Sequence, residues 1–180
     1  MQKETEIYDL IDRLTRIHAA LLRNDELNPT QMAALGYLAR ANRFSRSPSQ
    51  VADYLSTTRG TVSQTLKALI KKGYASEKTA DADKRALVFS LTDEGAEVLE
   101  ARTAFLDVLA AMRDADKDGL QRGVKELLSR LLKQRQGRSF GLCRTCKHHG
   151  VKGGEMWCGL LEVPLRAGED AQICHEHIAA

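Results

Sequence analysis

The chain has 180 residues, 43% hydrophobic and 28% charged, with a formal net charge of +3 and four cysteines. That is enough for one globular domain plus a small module, and no run of 18 apolar residues is present to cross a membrane. The N-terminus, Met1 to Glu6, lacks the apolar stretch of a secretory signal, so the expected placement is cytoplasmic, where thiols favour metal ligation over disulfides.

In chain order, Ile7, Leu10, Ile11, Leu14, Ile17, Leu21 and Leu22 recur mostly at three- and four-residue steps and predict an amphipathic helix over 4–23. Asn28-Pro29-Thr30-Gln31 reads as a helix start: Asn caps, Pro fits the first turn, and Gln reaches back to the cap. Ser47-Pro48-Ser49-Gln50 repeats the device. These caps predict helices over 29–41 and 48–55. Thr58 caps a further helix over 59–72, buried through Val62, Leu66, Leu69 and Ile70 and ended by Gly73.

Two strand-like runs follow, 74–79 and 86–91, around a charged tip. In the second, Leu87, Phe89 and Leu91 alternate with Val88 and Ser90, the period of a half-buried strand. Thr92 caps a predicted helix over 93–113, and Leu120, Val124, Leu127, Leu128, Leu131 and Leu132 mark a last helix over 117–135. A polar, basic linker leads from there into the cysteine segment.

Helix, helix, helix and hairpin in this order is a winged helix-turn-helix, with 48–55 crossing a DNA backbone and 59–72 lying in the major groove. The charge agrees: residues 43–92 hold nine Lys/Arg against four Asp/Glu, where a polyanion would be met. Opposite its apolar face the 59–72 helix carries Arg59, Thr61, Ser63, Gln64, Lys67 and Lys71. Arg pairs bidentately with guanine and Gln with adenine, while lysines and hydroxyls take phosphates.

On these residues the chain resembles the MarR family of bacterial transcriptional regulators. The resemblance is carried by Asn28-Pro29-Thr30-Gln31-Met32-Ala33-Ala34-Leu35, Ser49-Gln50-Val51-Ala52, Thr61-Val62-Ser63, Lys72-Gly73-Tyr74, and Asp83-Lys84-Arg85 running to Leu91-Thr92-Asp93-Glu94-Gly95. It covers roughly residues 5–135 and implies a homodimer whose first and last helices interleave, presenting two winged domains to a pseudo-palindromic double-stranded DNA operator. It also implies that Arg85 enters the minor groove, positioned by Asp83, and that a small-molecule effector can bind between the dimer helices and the winged domain. A narrow minor groove attracts Arg, and a carboxylate two residues away can orient it. The two leucine-rich terminal helices exceed what a winged domain covers, which independently calls for a partner subunit.

The fold class expected is therefore mainly α with a small β-hairpin wing: a winged helix-turn-helix with dimerisation helices over 1–137, and a four-cysteine knuckle over 138–180. Cys143, Cys146, Cys158 and Cys174 follow a C-x2-C, x11, x15 spacing. A C-x2-C turn can bring two thiolates to one metal and the other two complete the set. The surrounding Gly-rich stretch has little core of its own, so a metal would supply its stability. Because the last two cysteines form no second C-x2-C, the centre is either zinc or an iron–sulfur cluster. His148, His149, His175 and His177 lie close enough in sequence to replace a thiolate.

The function expected is that of a DNA-binding repressor without enzymatic activity, whose tail stabilises the dimer or senses redox state or iron. Two alternatives stand beside it. One is a thiol-redox protein using Cys143 and Cys146, although no βαβ pattern places that pair at a helix N-terminus. The other is a small-molecule-responsive regulator with an inert tail.

Overall fold

The computed structural model describes residues 1–22, 26–79, 87–100, 103–135 and 137–180. Helix α1 (Gln2–Leu21) is followed by α2 (Pro29–Arg40), α3 (Pro48–Tyr54) and α4 (Arg59–Lys71). The capping signals read from sequence are made. Gln31 N–H donates to Asn28 Oδ1 at 2.9 Å and Asn28 N–H to Gln31 Oε1 at 3.1 Å. Ser47 and Gln50 form the same reciprocal pair ahead of α3. Thr58 Oγ1 accepts from Thr61 N–H at 3.1 Å to start α4.

Strands β1 (Ala75–Thr79) and β2 (Leu87–Leu91) pair antiparallel, from Ala75 opposite Leu91 to Thr79 opposite Leu87. The tip between them, including Asp83 and Arg85, lies outside the described residues. Two features fix the exit from the hairpin. Thr92 Oγ1 donates to Gly73 carbonyl at 2.7 Å and accepts from Gly95 N–H at 3.1 Å. Gly95 also lets the Tyr74 carbonyl come in, since a Cβ there would stand 2.1 Å from that oxygen. The helix expected over 93–113 is described as α5 (Asp93–Glu100) and α6 (Thr103–Ala111), and α7 (Asp114–Gln134) begins three residues earlier than its leucines indicate.

One hydrophobic core joins α2, α3, α4 and the hairpin through Leu35, Leu38, Val51, Leu66, Leu69 and Phe89. The long helices stand outside it: neither α1 nor α7 has a buried residue.

The tail differs from an appended knuckle on a polar linker. It contains five short strands: β3 (Gly141–Leu142), β4 (His149–Lys152), β5 (Glu155–Cys158), β6 (Val163–Pro164) and β7 (Ile173–Cys174). β4, β5 and β6 form one antiparallel sheet, and β3 pairs with β7. Ile173 belongs to the core of the winged helix, and Phe140 and Leu142 pack against it. The Phe140 ring lies 5.2 Å from Tyr54, 6.0 Å from Tyr37 and 5.1 Å from His175. Packing holds its backbone at φ +48°, a conformation that costs a bulky residue about 1–3 kcal/mol.

Candidate nucleic-acid interface and cysteine site

Helix α4 buries Val62, Thr65, Leu66 and Leu69 and turns its other face to solvent. Arg59, Thr61, Ser63, Gln64, Lys67 and Lys71 are all exposed on it, as a 3.6-residue period requires. Among the described residues no ion pair engages Arg59, Lys67 or Lys71. Their charge is therefore available to an outside anion. Lys72 is turned away instead, donating to the Glu26 carbonyl. The start of α3 is tied to the turn after α2 by the Ser47 cap and by Gln50 Nε2, which donates to the Phe44 carbonyl at 2.9 Å. Phe89 N–H donates to the Arg46 carbonyl at 3.0 Å, fixing the hairpin beside the turn between α2 and α3.

The four cysteines, distant in sequence, wall one small recess together with His148 and His149. All four are free thiols and all are buried. A 3₁₀ turn over Cys143–Thr145 closes the C-x2-C pair, with Cys146 N–H donating to the Cys143 carbonyl at 2.9 Å. β7 brings Cys174 opposite Gly141, and β5 brings Cys158 opposite His149. Burial, and then the neighbouring Cys174, Cys158 and Cys146, push the Cys143 thiol up to about 11. Burial also raises Cys174, against hydrogen bonds from the Asn42 side chain, the Glu176 backbone and the Ser45 side chain. Ile178 N–H approaches Cys146 Sγ at 3.5 Å.

The histidines divide into two pairs. His177 has both ring nitrogens engaged, Nδ1 with Ser139 Oγ at 3.0 Å and Nε2 with Thr145 Oγ1 at 2.9 Å. His175 is held by Glu176 at 2.9 Å and by Asp53 of α3 at 3.2 Å. Neither has a nitrogen left for a metal. His149, in the wall of the recess, has a buried Nε2 with no hydrogen-bond partner. Among the described residues, no group of three His, Cys, Asp or Glu side chains is arranged to hold a single metal ion.

Sequence reasoning did not find the residues that seat this module. Asn42 N–H donates to the Ile173 carbonyl at 2.9 Å, and His175 N–H donates to Ser45 Oγ at 2.9 Å. Arg43 pairs with buried Glu169 and donates through Nη2 to the Pro164 carbonyl at 2.9 Å. The one available signal was Phe140, a lone aromatic in an otherwise polar linker.

A cleft of about 450 Å³ opens between α1, α2 and α6, where the His18 and Phe105 rings meet edge to face at 5.0 Å. No described helix is long and apolar enough to cross a membrane.

Comparison with known proteins agrees with this architecture. Residues 26–86 match the model of the MarR family. The transcriptional repressor MprA of Escherichia coli (strain K12) is 28% identical over 116 residues, which cover 62% of this chain and 66% of MprA. The chain thus spans just under two thirds of that relative's length. Streptococcus pneumoniae FabT, solved in complex with DNA, superposes with a TM-score of 0.59 at 20% identity, covering 74% of this chain and 97% of FabT. A MarR transcriptional regulator from Methanosarcina mazei Go1 gives 0.59 at 18% identity, covering 72% and 98%. A Staphylococcus aureus MepR–DNA complex gives 0.54 at 21% identity, covering 69% and 96%. Residues 26–86 thus match the MarR family model within a fold shared with these structures, and the four-cysteine tail lies beyond that match.

Proposed function

We propose that this chain is a sequence-specific transcriptional regulator, a repressor that binds double-stranded DNA as a homodimer and has no catalytic role. The observation that carries the reading is the α4 face: six polar or basic residues, all exposed, on the second helix of a helix-turn-helix of MarR type. That helix is the one such motifs lay in the major groove. FabT and MepR, solved on DNA, have this fold, and MprA is a repressor. Arg85, positioned by Asp83, would add the minor-groove contact.

The dimer rests on the two long helices. Ile7, Leu10 and Leu14 of α1 and Val124, Leu128 and Leu131 of α7 are 47–62% exposed in the protomer. Apolar stripes of that length on two helices need a cover, and a second copy supplies a matching pair. The cleft beside His18 and Phe105 lies where α1 meets the winged helix, a position suited to a small-molecule effector.

The test is direct titration of a mixed-sequence DNA duplex at several salt concentrations. The log of the association constant should fall linearly with log salt, as phosphate neutralisation by lysine and arginine requires. Binding that is absent at low salt would overturn the reading.

A further inference from the structure

We propose that Cys143, Cys146, Cys158 and Cys174 hold an iron–sulfur cluster, with the thiolates shared among several irons, and that the cluster clamps the tail onto the turn between α2 and α3.

Three observations carry the first half. All four thiols are reduced, buried and wall one recess, although the longest gap between successive cysteines is fifteen residues. Cys174 takes hydrogen bonds from the Asn42 side chain, the Glu176 backbone and the Ser45 side chain, and Cys146 takes one from Ile178 N–H. These are the outer hydrogen bonds that support a thiolate ligand, and four sulfurs lining one space suit a shared centre. The arrangement is also too open for one ion. Zinc draws each sulfur to about 2.3 Å, less than the combined radii of sulfur and water, so no water-sized sphere fits inside a closed zinc set. Here the recess lined by the four cysteines with His148, His149, Leu160 and Leu161 still admits one. A cluster spreads its thiolates over several irons and holds them further apart. Finally, the buried Nε2 of His149 in the same wall has no partner, and a cluster sulfide would accept a hydrogen bond from it.

The second half follows from where Cys174 sits. Its neighbour Ile173 accepts from Asn42 N–H, and its other neighbour His175 donates to Ser45 Oγ. His175 also meets Asp53 on α3. With the cluster in place, β7 is tied at one side to the metal centre and at the other to the helix-turn-helix. The thiol protons leave to solvent as the thiolates bind iron, the bridging sulfides come from the supplied sulfide, and the cysteine sulfurs keep their oxidation state throughout. On the DNA-binding reading above, cluster loss would free the turn between α2 and α3 that leads into the helix-turn-helix; the cluster itself does not depend on that reading.

The experiment uses the full chain isolated without oxygen, and the same protein after anaerobic reconstitution with iron salts, sulfide and a thiol reductant. The expected result is brown protein with broad visible absorption, and acid-labile sulfide close to equimolar with iron. Single Cys→Ser replacement at each of the four positions should lower bound iron several-fold, whereas His148→Ala should not. Colourless protein that takes one zinc per chain and carries no labile sulfide would overturn the cluster. Because serine variants can misfold, the clamp is read separately on wild type by amide hydrogen exchange before and after chelation of iron. Exchange at Asn42 and His175 should accelerate at least tenfold while the α2 interior stays protected. Equal exchange in both states, with the cluster demonstrably gone, would overturn the clamp. DNA affinity is not part of this readout, so a failed DNA-binding model and a failed cluster model are distinguishable.

Discussion

Asn42 and Ile173 are joined backbone to backbone at 2.9 Å, although they stand 131 positions apart in the chain. Asn42 sits in the turn between α2 and α3, and Ile173 directly precedes the last cysteine. A parallel bridge between Ala41 and Ile173 reinforces the contact. The tail is thus built into the side of the winged helix, and a change at the cysteines has a short mechanical route to α3.

This predicts that the tail contributes to the stability of the helical domain. Ile173→Ala removes a side chain that is 7% exposed and belongs to the main core. The loss should be about 2–4 kcal/mol, visible as a lower urea midpoint followed by helical circular dichroism. If the tail were an independent module, the helical transition would stay where it was.

The α4 residues should separate by role. Lys67→Ala and Lys71→Ala should weaken binding to all sequences alike and each reduce the salt slope by about one. Gln64→Ala and Arg59→Ala should instead relax sequence preference, since their side chains suit base edges. Arg85→Ala should cost roughly 1–3 kcal/mol. Gel shifts across a salt series on matched and mismatched duplexes resolve the three patterns; identical behaviour of Lys67→Ala and Gln64→Ala would remove the assignment of roles.

Assembly should depend on the exposed stripes of α1 and α7. Leu14→Asp and Leu128→Asp place a charge where the protomer shows an uncovered leucine, each about half exposed. In an isolated protomer such changes are nearly neutral. In a dimer they bury an unpaired carboxylate and should shift sedimentation to the monomer or drive aggregation. Unchanged dimers in both variants would place the interface elsewhere.

Gly95→Ala should be destabilising out of proportion to one methyl. The added carbon would stand 2.1 Å from the Tyr74 carbonyl oxygen and 2.9 Å from Leu91 Cδ1. The first of these is backbone in the turn that orients the hairpin, so the wing must shift. Overpacking of this kind costs typically 1–3 kcal/mol. Thermal melts of Gly95→Ala beside wild type measure it.

The helical half was legible in the sequence because its signals are local. The Asn28–Gln31 and Ser47–Gln50 boxes each span four residues, and each places a helix start where the structure has it. The six α4 residues were readable from period alone, and all six are exposed. The tail was not legible in this way. Its strands are two to four residues long, too short to show an alternation. Its docking depends on backbone groups of Asn42 and Ile173, which leave no trace in side-chain pattern. Phe140 sits among polar residues because it packs on Tyr37 and Tyr54 across the fold, a reason invisible to a local window.

The most direct test of DNA recognition by a winged-helix dimer is selection of duplexes from a random pool by the full-length protein, followed by sequencing of the bound fraction. Two symmetric α4 helices should enrich an inverted repeat with half-site centres about 10 bp apart, and the enrichment should vanish when Arg59 and Gln64 are both replaced by alanine. A bound pool with no repeated motif, or one unchanged by those replacements, would contradict recognition through α4.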